Sequence, residues 1–103
     1  MNTAAPEFLL DPDARTIRLR GEDVQLAPKE FELLALLLAQ PGQVLTRPQI
    51  SQAIWGRSLE SNTISVHVSW LREKLQRFEP LPFRITTVFR VGYRLDRVGY
   101  GRP

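Results

Sequence analysis

This chain lacks the residues and patterns on which several large classes of protein depend. It contains no cysteine, so disulfide frameworks, thiolate metal sites and thiol nucleophiles are excluded. No run of about 18 apolar residues is present, and the first residues lack a charged start followed by an apolar block. We therefore predict neither a membrane span nor a signal peptide, and we expect a cytoplasmic protein.

Motifs of catalysis are also scarce. The chain has a single histidine, His67, and the residues around it supply no nucleophile together with an orienting acid. The sequence shows no glycine-rich phosphate loop and no spaced cluster of histidine, aspartate and glutamate. Taken together, these absences predict a protein that is not an enzyme and that binds no metal or other cofactor.

Positive charge, by contrast, is abundant in one half of the chain. The 103 residues predict one domain, with a core over about 8–96 and a flexible tail over about 97–103. Residues 1–56 contain five lysines and arginines against seven acids, whereas residues 57–103 contain nine against four. The second half therefore accounts for the net charge of +3. This asymmetry favours a polyanionic partner, and a solvated basic surface is the alternative.

The order of apolar and turn residues predicts an α+β fold, in which an N-terminal antiparallel sheet precedes three helices and a C-terminal β-hairpin. The predicted segments are strands 8–10, 16–20 and 24–26 with a turn at 21–23, a helix over 28–40, a short strand at 44–45, a second helix ending at 55, a third over 62–77, and a hairpin over 84–95. The predicted buried positions of the N-terminal sheet are Ile17, Leu19, Val24 and Leu26.

Local sequence patterns predict where the second helix starts and where it ends. Thr46 and Gln49 fit a capping box, in which each side chain bonds the backbone N–H of the other residue. Gly56 is placed to end the helix. The residues expected to face the core are Ile50, Ala53 and Ile54.

The third helix has two dissimilar faces. At about 100° per residue, one stripe of the helix is apolar enough to bury against a core, and it consists of Ile64, Val68, Leu71 and Leu75. The opposite side is a mixed polar and apolar surface that suits the floor of a DNA major groove. Together with the second helix, it forms a candidate helix-turn-helix over 46–75.

Each outward side chain of this third helix has a candidate role at DNA. Val66 is suited to a thymine methyl group, and Thr63 and Ser69 are able to hydrogen-bond a base edge or a phosphate. Trp70 is suited to stacking on a sugar or packing beside a methyl group. The alternative for Val66 and Trp70 is packing beneath the hairpin, and for Trp70 the two interpretations are equally favoured.

Basic side chains flank this surface on both sides. His67 and Lys74 lie on the same flank as Trp70, where they are candidates for phosphate contacts, and Arg72 lies toward the other flank. The hairpin adds Arg84, Arg90 and Arg94. Arg90 is at the predicted tip, where the negative potential of a minor groove would attract it, and a solvated turn arginine is the alternative.

Five segments of the chain resemble the winged-helix effector domain of the OmpR/PhoB family of bacterial response regulators. They are 26–34 (LAPKEFELL), 42–47 (GQVLTR), 54–56 (IWG), 66–75 (VHVSWLREKL) and 85–93 (ITTVFRVGY). They follow the order and spacing of the family from about residue 10 to 95. The resemblance implies a winged helix-turn-helix in which the third helix is the recognition helix and the hairpin is the wing.

The resemblance also implies roles for individual residues. Carried over position by position, it assigns phosphate contacts to Arg47 and Trp55, groove-facing positions to Thr63, Ser65, Val66, Ser69 and Trp70, contacts with the DNA backbone to His67 and Arg72, and anchoring of the wing to Thr87 and Tyr93. It further implies that the loop Gly56–Ser61 faces RNA polymerase. It implies a monomer in the free state and a dimer on direct-repeat DNA.

The sequence departs from the family pattern at three places, and each departure leads to a separate expectation. Ala27 stands where a capping serine or threonine is usual, so we expect Glu30 to lose its capping partner at a cost of about 1 kcal/mol. Ser69 and Trp70 replace residues that are often basic, which predicts weaker phosphate binding. At 89–90, Phe-Arg replaces the more usual basic-then-glycine pair, so the tip arginine is shifted by one position.

We therefore predict a sequence-specific double-stranded DNA-binding domain of a bacterial transcription regulator in a two-component phosphorelay system. Helix 62–77 is expected in the major groove and the wing 84–95 at the adjacent minor groove. The alternative is a winged-helix protein-interaction module that docks through Val66, Trp70 and Phe89.

Overall fold

The computed structural model of this chain describes residues 8–59 and 62–98. Its elements are β1 (Phe8–Asp11), β2 (Thr16–Leu19), β3 (Glu22–Gln25), α1 (Pro28–Leu38), β4 (Leu45–Thr46), α2 (Arg47–Trp55), α3 (Thr63–Gln76), β5 (Phe83–Val88) and β6 (Gly92–Arg97). An N-terminal sheet, three helices and a C-terminal hairpin follow one another as predicted. The winged helix-turn-helix architecture is confirmed.

The N-terminal sheet is antiparallel, in the order β1-β2-β3, and its four predicted buried residues are all buried. The predicted turn at 21–23 is wrong. Leu19 pairs with Glu22, so the loop consists of Arg20 and Gly21 alone, at φ values of 49° and 83°. Two positive φ values in a two-residue loop are those of a type I′ turn, whose twist matches the paired strands. Glu22 therefore belongs to β3.

Helix α1 begins without a side-chain cap at Ala27, as expected. The loss of that capping side chain is compensated at Glu30, however. The Glu30 carboxylate accepts from the backbone N–H of Ala27 at 2.8 Å, and the ammonium of Lys74 on α3 lies 2.6 Å from it. A contact from a distant helix thus stabilises the charge at this helix start.

Helix α2 has the predicted capping box. The backbone N–H of Gln49 donates to the Thr46 hydroxyl at 3.2 Å, and that of Thr46 donates to the Gln49 amide oxygen at 2.8 Å. Gly56 ends the helix in the left-handed region, with φ 73°. Ala53 was expected to be buried but is exposed; Ser51 is buried instead. Its hydroxyl donates to the Pro48 carbonyl at 3.2 Å, which satisfies its polar group inside the helix.

Helix α3 buries the predicted apolar stripe in the core and packs against α1 and α2. In the C-terminal sheet, β6 lies between β4 and β5, so the hairpin is tied to the residue pair just before α2. Gly92 allows this close approach, because a side chain there would collide with the Leu45 carbonyl. The wing is therefore continuous with the helix-turn-helix.

The hairpin extends beyond its predicted end at residue 95. Strand β6 continues to Arg97, and the backbone N–H of Val98 donates to the Pro82 carbonyl at 2.9 Å. Residues 99–103 of the predicted tail lie outside the described residues. Across 8–59 and 62–98, no helix is long and apolar enough to span a membrane.

Candidate nucleic-acid interface

The outward face of α3 is open to solvent. Ser69 is exposed, Trp70 is 49% exposed, and Thr63, Ser65 and Val66 are half-buried. The Ser65 hydroxyl donates to the Asn62 carbonyl at 3.1 Å, which turns it back toward the helix start. Each of the predicted groove-facing positions is therefore at least partly accessible to solvent.

Three aromatic rings form a row along one flank of α3. The ring centroids of Trp55 and His67 are 5.1 Å apart, those of His67 and Trp70 are 5.2 Å apart, and both pairs pack edge to face. The Nδ1 atom of His67 lies 2.8 Å from the Thr63 carbonyl. A carbonyl oxygen only accepts, so Nδ1 carries the proton. The row joins α2 to α3 and fixes the histidine ring between two indoles.

Tyr93 forms the centre of a second cluster, between α2, α3 and the wing. It is 2% exposed. The Arg47 guanidinium carbon lies 5.3 Å from the Tyr93 ring centroid, and that of Arg72 lies 6.0 Å from it. Arg47 also donates to the Tyr93 hydroxyl at 3.4 Å. We call Arg47, Tyr93 and Arg72 the arginine–tyrosine junction.

The junction has an excess of positive charge. Within the described part of the chain, neither of its arginines has a carboxylate within ion-pair distance. Arg72 instead donates to the Ile85 carbonyl at 2.6 Å and to the Thr87 hydroxyl at 2.9 Å. It therefore holds the wing against α3, and the Thr87 hydroxyl is drawn into the same cluster.

The structure gives Lys74 a different partner from the predicted phosphate. Its ammonium pairs with the carboxylate of Glu30, which is 3% exposed. We therefore leave Lys74 out of the interface proposed below. Reasoning from sequence missed this pair because its members are 44 residues apart, and neither residue has a local pattern that indicates the other.

The arginines of the wing differ in the partners that they contact. Arg94 donates to Asp96 at 2.8 Å through Nε and at 3.1 Å through Nη2. This hydrogen-bonded guanidinium lowers the pKa of the Asp96 carboxyl below its ordinary value, and Thr86 adds a hydrogen bond to the carboxylate. Arg90 lies at the tip, exposed, with its guanidinium carbon 5.1 Å from the Phe89 ring centroid. No carboxylate of the described residues lies within ion-pair distance of this tip arginine.

Comparison with protein families decides the assignment. Residues 21–95 match the profile described as transcriptional regulatory protein, C terminal. The chain belongs to this family. The relatives include the response regulator protein PmrA of Pseudomonas aeruginosa, 44% identical over 93 residues that cover 88% of this chain and 40% of PmrA. The phosphate regulon transcriptional regulatory protein PhoB of Rhizobium meliloti is 37% identical over 84% of this chain and 39% of PhoB.

Solved structures of the family share the fold. The DNA-binding domain of CpxR from E. coli superposes with a TM-score of 0.78 at 28% identity, covering 94% of this chain and 97% of that one. The DNA-binding domain of Klebsiella pneumoniae RstA, in complex with the RstA box, gives 0.76 at 29% identity over 91% and 95%. The chain spans about two fifths of the length of the curated relatives named above.

Proposed function

We propose that this chain binds double-stranded DNA with sequence specificity, as the effector domain of a bacterial transcription regulator in a two-component system. The observation that carries the proposal is the arginine–tyrosine junction beside the open face of α3. Two guanidiniums that have no carboxylate partner among the described residues lie where the helix-turn-helix meets the wing. Family membership and the DNA complex of the RstA domain support the same interpretation.

The proposal divides the work between two sets of residues. Phosphate contacts belong to the junction and to neighbouring residues of α2, α3 and β5, and they set affinity and salt dependence. Base contacts belong to the outward face of α3, and they set the sequence that is preferred. The first set is Arg47, Trp55, His67, Arg72, Thr87 and Tyr93; the second is Thr63, Ser65, Val66, Ser69 and Trp70.

Binding to duplexes selected from a random pool tests the proposal. Arg47→Ala should weaken binding to selected and mismatched duplexes alike and reduce the slope of log affinity against log salt by about 1. Val66→Ala should mainly relax the preference at one base pair. Arg18→Ala is the matched control, because that guanidinium is paired with Asp23 at 2.8 Å in the N-terminal sheet. Its affinity should be unchanged.

Two results would contradict the proposal. The first is an affinity that does not change between about 50 and 200 mM salt. The second is an equal effect of Arg47→Ala and Arg18→Ala. Absence of duplex binding at low salt would favour the alternative, a protein-interaction module that docks through Val66, Trp70 and Phe89.

Three wider expectations belong to the same proposal. The loop Gly56–Ser61 is proposed to face RNA polymerase; its residues 60 and 61 lie outside the described part of the chain. The domain is proposed to be a monomer in the free state and a dimer on direct-repeat DNA. We also propose that it has no catalytic activity of its own. Sedimentation with one-site and two-site duplexes measures the stoichiometry directly.

A further inference from the structure

The wing tip presents an apolar ring that the fold itself does not use. Phe89 is 78% exposed, the highest value among the large apolar side chains of the described residues. It lies in the three-residue loop between Val88 and Gly92, which pair with each other at the end of the hairpin. Burial of this aromatic surface against a partner would be favourable, and the surroundings of the ring show which kind of partner fits.

The loop that carries this ring is held on the side of the junction. The backbone N–H of Val91 donates to the Val88 carbonyl at 2.9 Å, which closes the turn. The backbone N–H of Arg47 donates to the Val91 carbonyl at 3.2 Å. The tip is thereby fixed to the first residue of α2, whose side chain is part of the arginine–tyrosine junction.

The chemistry of the tip favours a nucleic acid over an apolar protein groove. The guanidinium of Arg90 lies against the Phe89 ring, and no carboxylate of the described residues pairs with it. An apolar groove on a protein would have to desolvate this cation without compensation. A minor groove offers negative potential for the guanidinium and stacked bases for the ring.

We propose that Phe89 is an apolar wedge, which inserts from the minor groove between adjacent base pairs and kinks the duplex. Arg90 lies beside it in the groove and neutralises phosphate charge. Partial unstacking is easiest at pyrimidine–purine steps, so the wedge adds a sequence preference at a position that α3 does not contact. This inference rests on the proposed DNA binding and adds a second, shape-dependent source of specificity to it.

The experiment uses the whole chain and duplexes selected by it. 2-Aminopurine placed at successive steps of the wing-side minor groove reports unstacking, and energy transfer between dyes at the duplex ends reports the bend. Wild-type chain should raise the 2-aminopurine fluorescence at one step and shorten the end-to-end distance. Phe89→Ala should abolish both changes and weaken binding about 5- to 100-fold, the range expected for loss of one aromatic contact with a base.

Two variants serve as controls. Phe89→Leu keeps an apolar wedge and should retain most of the bend. Leu9→Ala removes another exposed apolar side chain, 57% exposed on β1, and should change neither signal. Since Phe89 is exposed, its replacement should leave the thermal midpoint unchanged, which a melting curve checks.

The remaining outcomes distinguish a failure of the wedge proposal from a failure of the proposed DNA binding. Wild-type binding without a bend or a fluorescence change overturns the wedge and leaves DNA binding intact, whereas absence of binding overturns both. If Phe89→Ala binds a one-site duplex normally but loses cooperative binding to a two-site duplex, the ring contacts a second copy of this chain. That result also overturns the wedge.

Discussion

At the scale of single residues, this fold places arginine in backbone positions that usually take glycine. Over 8–59 and 62–98, the non-glycine residues with positive φ are Arg15 at 56°, Arg20 at 49° and Arg90 at 65°. Such a conformation costs a residue with a Cβ roughly 1–2 kcal/mol. For Arg20 there is a visible compensation, because its guanidinium donates to the carbonyls of Phe78 and Glu79 just after α3. In the described part of the chain, the Arg90 guanidinium stacks on Phe89 and forms no such hydrogen bonds, so its proposed role is at the DNA interface.

Two replacements of Arg90 measure how much strain its positive φ causes in the folded state. Arg90→Gly should raise the free energy of unfolding by roughly 0.5–1 kcal/mol, because glycine adopts positive φ freely, although the added freedom of its unfolded chain offsets part of the gain. Arg90→Ala keeps the strain and should give no such gain. Urea denaturation measures both. Equal stability of the two variants would show that the turn carries no strain at this position.

At the scale of elements, sequence reasoning succeeded where the determining contacts are local. The capping box of α2 and the buried stripe of α3 depend on residues three or four positions apart, so their patterns are readable along the chain. It failed for Glu30, whose capping interaction is completed by Lys74 from another helix. It also gave no sign that Arg72 bonds the wing, since β5 contributes a backbone carbonyl to that contact.

The candidate site was likewise predictable only in part. The open face of α3 followed from helical periodicity, and the structure leaves it accessible. The order of aromatic contacts Trp55–His67–Trp70 did not follow, because it depends on how α2 crosses α3. Roles for Tyr93 and Thr87 came from family resemblance, and their residue types alone carry no such information.

The ion pair between Glu30 on α1 and Lys74 on α3 leads to a prediction about the free energy of unfolding. Lys74→Ala leaves the buried Glu30 carboxylate with the Ala27 N–H as its remaining partner, so the free energy of unfolding should fall by about 1–3 kcal/mol. In a Glu30→Gln background the same change should cost less, because the amide still accepts from Ala27 and no buried charge remains.

Urea denaturation of the two single variants and the double variant completes the cycle for this pair. Additive effects of the two substitutions would show that Glu30 and Lys74 do not interact energetically. Duplex affinity measured on folded Lys74→Ala supplies an independent comparison, because an intramolecular ion pair predicts little change in affinity. A loss equal to that of Arg47→Ala would restore Lys74 to the interface.

At the scale of the whole molecule, the positive charge is unevenly distributed, because some arginines pair with carboxylates and others do not. Arg18 and Arg94 are held by carboxylates on the two sheets, at 2.8 Å in each case. Arg47, Arg72 and Arg90 have no such partner among the described residues and lie on the helix-turn-helix and wing. A net charge of only +3 is therefore compatible with a positive helix-turn-helix and wing tip, because Arg18 and Arg94 are neutralised locally and these three arginines are not.

The same two sheet pairs determine how the molecule should respond to acid. The hydrogen-bonded guanidinium of Arg18 lowers the pKa of Asp23, and that of Arg94 lowers the pKa of Asp96. An aspartate with a lowered pKa in the folded state stabilises the fold above its unfolded value of about 3.9, and this contribution is lost as pH falls through the folded value. Stability should therefore decline below about pH 4.

The variant Asp23→Asn/Asp96→Asn isolates that contribution. At neutral pH its thermal midpoint should lie below that of the unchanged chain, because both charge-assisted pairs are gone. As pH falls below about 4, the unchanged chain protonates the same two carboxyls, so the two midpoints should converge. Asp13→Asn is the control, because this exposed carboxylate forms no ion pair among the described residues. A constant difference between pH 7 and pH 2.5 would show that the two sheet pairs do not contribute through their charge.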